Sequence, residues 1–297
     1  MKSFKKQIRF VMPAAVLFSV LFTSCENETE ISEAEPQPQA QAQSKFSNDI
    51  SAQLTNHLFD PAETELVTFT LPDGTTQKSY VYKDKAIDQS SIENTETIVD
   101  QDLAKAWQGL DLAPGNRTYT VAFVDFNQQF QRQAAGDMVW AFNNRIRASV
   151  KLRHIFIRPD QWGATRADIF VFYVNQSSLP ADNIIAIADF PNIDRTRAGR
   201  TIMINAQRVG NFSNRNSLAT LLKHEVLHNF GIRHNDWRTL RSCGEMRNSR
   251  NGGGLIHIPG TNNSGDFTNS IMTTCGFGTS GYSDDDIRGM RNLYGFQ

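Results

Sequence analysis

The sequence is short of several things, and each shortage removes a class of function. Net charge is almost absent: 30 Lys and Arg stand against 31 Asp and Glu, a formal charge of −1. No global basic field exists to recruit nucleic acid. A membrane span is also lacking. The apolar stretch 10–22 falls short of the ~20 residues that a helix needs to cross the hydrocarbon core. No internal repeat is visible. Cysteine is scarce, with 3 in 297 residues: Cys25, Cys243 and Cys275. Apolar material is not scarce. Hydrophobic residues make up 39%, near the share of an ordinary globular protein, which excludes a wholly disordered chain. The length suffices for one sizeable domain or two modest ones.

Lys2, Lys5, Lys6 and Arg9 precede the apolar stretch, the layout of a secretory signal. Thr23 and Ser24, both small, lead directly to Cys25. This end resembles a bacterial lipoprotein signal, although Phe22 stands where such signals usually have Leu. The resemblance implies that residues 1–24 are removed and that Cys25 becomes an acylated first residue. The protein would then be exported and would touch a membrane only through that lipid. Glu26, Glu28 and Glu30 follow at once, similar to signals that send some lipoproteins to the outer face of the cell; a plain solvated linker is the alternative. Residues 25–45, rich in Glu, Gln, Ala and Pro, read as a flexible tether. With Cys25 lipidated, Cys243 and Cys275 remain as a pair in an oxidising compartment. A disulfide is the default there, and two buried thiols are the alternative.

Residues 46–109 carry a hairpin signal. Leu66, Thr68 and Thr70 alternate, as do Tyr80 and Tyr82, around a Pro72-Asp73-Gly74 break. The region is a pro-segment or a small supporting layer, and both readings stay open. The main domain runs over 110–297. Strands are expected at 119–124, 152–157, 169–174 and 201–205. Ala134, Met138, Ala141, Phe142 and Ile146 have helical spacing within 128–148. A further helix starts at a cap on Asn216 or Ser217. Ser283 and Asp286 form a capping box for a last helix whose apolar face is Ile287, Met290 and Tyr294. Strand, helix, strands and helix imply an α/β (α+β) arrangement rather than a β-sandwich.

The run HEVLHNFGIRHND, residues 224–236, carries the chemistry. His224 and His228 are one helical turn apart, so both imidazoles project from one face and can grip a single Zn²⁺. Ala219, Leu222, Val226 and Phe230 lie on a neighbouring face, free to pack on a core. Glu225 stands beside the first ligand, placed to move a proton from an attacking water to a departing amine. Gly231 accepts the left-handed conformation that ends a helix, and the turn brings His234 back as a third ligand. Three protein ligands leave the fourth position open, the mark of a catalytic zinc site rather than a structural one.

HEVLHNFGIRH resembles the extended zinc signature of the metzincin superfamily. The continuation through Asp236 and Trp237 is similar to the dual-action HEIGH metallopeptidases, with Asn235 where that group has Thr. Val226 and Leu227 stand where it has Ile or Leu and then Gly. Ser270, Ile271 and Met272 fit the metzincin methionine turn, which implies that Met272 packs beneath the imidazoles without binding zinc. Thr274 occupies the position of an additional tyrosine ligand in some relatives, so none is expected. The resemblance implies a twisted mixed sheet with an active-site helix, a helix behind the sheet and a C-terminal helix. That last helix, from Asp286 to Gly295, is also similar to the final helix of matrix metallopeptidases. An edge strand, expected at 201–205, would line the cleft and take a substrate peptide by backbone hydrogen bonds.

The function implied is zinc-dependent endopeptidase activity, with a protein or peptide substrate. A surface binding or adhesion module that kept the fold and lost the activity is the alternative, and a zinc hydrolase of non-protein substrates is a third. Asp236 would orient a ligand histidine, cap the turn, or replace His234. A Cys243–Cys275 bridge would fasten the loop containing Gly252, Gly253 and Gly254 to the segment after Met272. His154 and His257 fall outside the motif and read as structural. No cysteine lies between Cys25 and Cys243, so latency through a thiol on the metal is not expected. Should the early region be inhibitory, a carboxylate such as Asp60 or Asp84 would serve, and the sequence singles out neither.

Overall fold

Side chains that alternate between two faces build a sheet whose central strands are buried on both. A computed structural model describes residues 45–57, 59–93, 112–180, 183–192, 195–208, 214–244, 257–265 and 267–297. The signal, the tether up to residue 44, Cys25 and the glycines at 252–254 lie outside the described residues. In β4 (Thr118–Val124), Val121 and Phe123 join one core while Ala122 and Val124 join the other. β6 (Ile169–Val174) does the same, Ile169 and Val171 on one side and Phe170, Phe172 and Val174 on the other. A pleat of period two, apolar at every position, demands cover on both sides.

The sheet has eight strands. They include β1 (Glu65–Thr70), β2 (Thr76–Tyr82), β3 (Lys85–Asp88), β5 (Lys151–Ile157), β7 (Ala186–Asp189) and β8 (Thr201–Asn205). Their order is β1-β2-β3-β7-β8-β6-β4-β5. β5, β4, β6 and β8 run parallel, and β7 runs antiparallel to β8. β3 pairs parallel with β7, and β1 and β2 continue antiparallel. The fold is therefore α+β with a mixed sheet, as expected. Two short helices, α1 (Asn48–Asn56) and α2 (Gln89–Glu93), cover the β1–β3 end.

One point of the expected topology is corrected. β8 is an interior strand, flanked by β6 and β7. The strand that would be the edge of the catalytic part is β7, four residues too short to announce itself by alternation. β3, from the early region, is paired to it.

One layer of helices packs on the sheet: α3 (Gln129–Ala141), running into a π-helical turn at Phe142–Ile146, and α4 (Arg215–Asn229). The cap of α4 lies two to three residues before the expected one, because Asn214 accepts the backbone N–H of Ser217 at 3.0 Å. α5 (Asp284–Tyr294) has the expected capping box from Ser283 and Asp286.

Candidate metal centre

α4 is buried on nearly every side, so its histidines sit inside the protein rather than on a surface. Its C-terminal end is fixed from three directions. Asn229 Nδ2 donates to the carbonyls of Asp189 (2.8 Å) and Thr201 (3.1 Å), tying the helix to β7 and β8. The Tyr294 hydroxyl donates to the Phe230 carbonyl at 2.5 Å, tying it to α5. Gly231, at φ 93°, then reverses the chain. Its N–H reaches the His228 carbonyl and that of Ile232 reaches Leu227, the two bonds of a Schellman ending. The turn aims His234 at the helix it has just left.

The three imidazoles converge. Nε2 of His228 lies 3.1 Å from Nε2 of both His224 and His234, and the remaining pair is 3.3 Å apart. A tetrahedral zinc with ligands at ~2.0–2.1 Å would separate its ligand atoms by roughly 3.3 Å. The outer nitrogens fix the tautomers. His224 Nδ1 meets the Ile271 carbonyl at 2.7 Å and His228 Nδ1 meets the Ile232 carbonyl at 2.8 Å. A carbonyl can only accept, so each Nδ1 carries the proton and each Nε2 turns a lone pair inward. Three ring nitrogens at contact distance, two of them with the outer nitrogen already spoken for, form a site for a cation. The residues fit zinc.

A fourth group completes the cluster. Asp84 Oδ2 stands 2.9 Å from His234 Nε2, 3.5 Å from His224 and 4.0 Å from His228. These four donor atoms all lie within 4.8 Å of one another. Burial opposes ionisation of Asp84, but the facing imidazoles outweigh it and hold the carboxyl well below its usual range. Burial likewise opposes charge on His224. The Asp84 hydrogen bond, the charges of Glu225 and Asp84, and the Ile271 carbonyl together overcome it and raise this histidine to about 9. His228 is held well below its ordinary value by burial and by the other two imidazoles. The pocket thus favours added positive charge.

Glu225 is 2% exposed, and its Oε2 has no hydrogen-bond partner. Burial pushes its carboxyl up to about 8, against the pull of His224. A carboxyl left this short of partners is available to exchange a proton.

The walls are held by carboxylates whose distant contacts spacing did not reveal. Asp236 is not in the cluster. Its Oδ1 accepts the N–H and hydroxyl of Thr274, both at 2.8 Å, and its Oδ2 accepts the N–H and hydroxyl of Ser242. It therefore pins the turn after His234 to both segments that end in the Cys243–Cys275 disulfide, which is present. Asp286 accepts from the Ser270 hydroxyl at 2.5 Å and from the Ile271 N–H at 3.2 Å, anchoring the methionine turn to α5. Met272 is fully buried, and its carbonyl accepts the Asn235 N–H at 2.7 Å. His154 packs against the rings of Phe123 and Phe156, and His257 meets the Thr261 carbonyl. Asp60 accepts the Ala62 N–H in a turn of its own.

A helix, a glycine reversal and a third histidine that close on one point, beside a buried glutamate, define a metallopeptidase-type metal centre. Residues 186–294 match the model of the dual-action HEIGH metallo-peptidase family. That match spans β7, every histidine of the cluster, the methionine turn and α5, and it bears out the resemblance to metzincin-type zinc metallopeptidases. Among solved structures, one of myroilysin is 13% identical with a TM-score of 0.40, over 62% of this chain and 95% of that one. High choriolytic enzyme 1, a hatching enzyme zinc-protease from the medaka fish Oryzias latipes, is 14% identical with a TM-score of 0.36, over 61% and 90%. No curated protein matches the chain.

Proposed function

We propose that this chain is a zinc-dependent endopeptidase, exported and held at the cell surface by a lipid on Cys25. The observation that carries the catalytic part is the convergence of three histidine Nε2 atoms beside Glu225, whose Oε2 has no hydrogen-bond partner. The N-terminal pattern of positive charge, apolar stretch and cysteine supports the export part. Among the described residues no helix is long and apolar enough to cross a membrane.

His224, His228 and His234 would hold the metal. When bound, zinc supplies a Lewis acid that polarises the scissile carbonyl and makes water nucleophilic at neutral pH. Glu225 takes the proton of the attacking water at its carboxylate and delivers it to the departing amine nitrogen. The carbonyls of Ile271 and Ile232 keep two imidazoles in the binding tautomer throughout. A cavity of about 710 Å³, lined in part by Ile184, Ala186, His224, Thr273 and Phe277, opens beside the cluster and would take a substrate side chain.

Because Asp84 faces the cluster, the reading is tested in a full chain carrying Asp84→Ala. That protein should digest casein, and adding Glu225→Gln should lower the rate by ~10²-fold or more at equal zinc content. Equal digestion by both proteins would exclude Glu225 as the base. No digestion by either, with zinc bound, would contradict the peptidase reading.

A further inference from the structure

Trp140 and Phe296 are the two most exposed large hydrophobic side chains among the described residues, at 60% and 61%. Trp140 stands in the last turn of α3, just before the π-helical turn, and Phe296 bridges to Ala148 just after it. The π-helical turn also packs on α5, so the two rings flank one corner of the molecule. Hydrogen bonds hold that corner in place. The Ser149 N–H donates to the Gly295 carbonyl at 2.9 Å and the Gln297 N–H to the Arg147 carbonyl at 3.1 Å. Arg291 donates to the carbonyls of Ile146 (2.6 Å) and Arg145 (3.1 Å). The Phe296 ring has two guanidiniums beside it, Arg291 at 4.7 Å and Arg147 at 5.5 Å.

The side-chain charge at this corner has one sign. From 138 to 159 the chain carries Arg145, Arg147, Lys151, Arg153 and Arg158 and no Asp or Glu; after Asp286 it carries Arg288 and Arg291 and again neither. Arg117, Arg158 and Arg215 each pair with an aspartate, whereas among the described residues Arg145 and Arg147 have no carboxylate partner. The net charge is only −1, so this is an asymmetry and not a general basicity. None of these residues lines the cavity beside the metal centre.

We infer that this corner rests on the anionic headgroups of a bilayer, with Trp140 and Phe296 among the headgroups and Arg145, Arg147 and Lys151 against their phosphates. A guanidinium over a ring face still presents N–H groups at its edge, where phosphate oxygens are received. Aromatic rings settle at the level of the headgroups, so one surface meets both features of the corner. The inference rests on the anchored-chain reading for the nearness of a membrane, and not on the peptidase reading. A flexible tether over 25–45 would hold the fold within roughly 25 Å of the bilayer, where a weak contact suffices to orient it.

The test adds the purified full chain to vesicles of phosphatidylcholine with about one-third phosphatidylglycerol, brominated on the acyl chains, and follows tryptophan emission. Quenching should be at least twofold greater in the unaltered chain than in Trp140→Phe. Arg145→Glu with Arg147→Glu should reduce it at least twofold, as should glutamine at both positions and ~1 M NaCl. Lys78→Glu, a cation on β2 near the other end of the sheet, should leave it unchanged. Circular dichroism checks that each variant is folded. Equal quenching of the unaltered chain and Trp140→Phe would overturn the inference, as would equal quenching by vesicles of phosphatidylcholine alone. So would heparin binding that the arginine variants lose while no vesicle quenches, which gives the corner to an acidic polymer. A dimer in sedimentation that Trp140→Phe dissociates would give it to a second copy and overturn the inference too. Mass spectrometry of the same preparation reads the acyl group on Cys25 independently: quenching through Trp140 in a chain without that group supports the corner while the anchor reading fails.

Discussion

Among single residues, the carboxylates divide by how far away their partners stand. Glu225 was legible because its role follows from a neighbour one position away. Asp84 and Asp236 were not, and Asp286 only as the capping partner of Ser283, since their other contacts are brought near by folding: Asp84 faces histidines 140 and more positions later. Asp236 had three roles open in the sequence, and the structure gives it to Ser242 and Thr274 instead of to the metal. Asp189 belongs to the same group. It is buried, accepting the N–H of Thr201 at 3.1 Å and its hydroxyl at 2.7 Å. Burial raises its carboxyl from 3.8 to about 6, against those hydrogen bonds. The folded protein thus keeps this proton longer than the unfolded chain does. Between pH 3.8 and about 6 the folded state binds more protons, so the Asp189 contribution falls as pH rises. The loss is about 3 kcal/mol across the window. Asp189→Asn should remove that decline, read as the difference between urea-unfolding free energies of the two proteins from pH 4 to 7. Parallel pH profiles would show that Asp189 titrates normally.

At the level of elements, the helices of the catalytic part declared themselves, while the short strands and the early helices α1 and α2 did not. The spacing within α3 and the capping box of α5 are local patterns, readable without a tertiary context. β3 and β7 have four residues each, too few for alternation to stand out, and their partners are distant in sequence. That is why the edge was expected at β8. The end of α4 was readable because only glycine adopts φ 93° cheaply. Gly231→Ala should cost about 1–2 kcal/mol of stability, and it should weaken zinc binding by shifting His234 while His224 and His228 stay on the helix. Denaturant unfolding with and without zinc separates the two effects. Unchanged zinc affinity would mean that His234 is placed by the methionine turn and not by the glycine.

Taken as a whole molecule, the early region and the catalytic part share one sheet. Sequence left residues 46–109 open between a pro-segment and a supporting layer, because nothing local states which strand a hairpin will pair with. Cysteine arithmetic was more informative, since with Cys25 set aside the two remaining cysteines have one possible pairing. The bridge closes a loop with a sequence separation of 32. Constraining the unfolded chain over that span is worth about 3–4 kcal/mol. The double variant Cys243→Ser, Cys275→Ser should lose that much in denaturant unfolding, and an unmoved midpoint would place the stability of this wall in the Asp236 hydrogen bonds alone.

Three imidazoles converging on one ion are the premise from which the proposed chemistry follows. Zinc K-edge absorption on the zinc-loaded full chain measures that shell directly. The account predicts one zinc bound by three histidine nitrogens and one oxygen at ~2.0–2.1 Å, with the zinc lost from His228→Ala. A shell containing sulfur, or full zinc retention in His228→Ala, would contradict it.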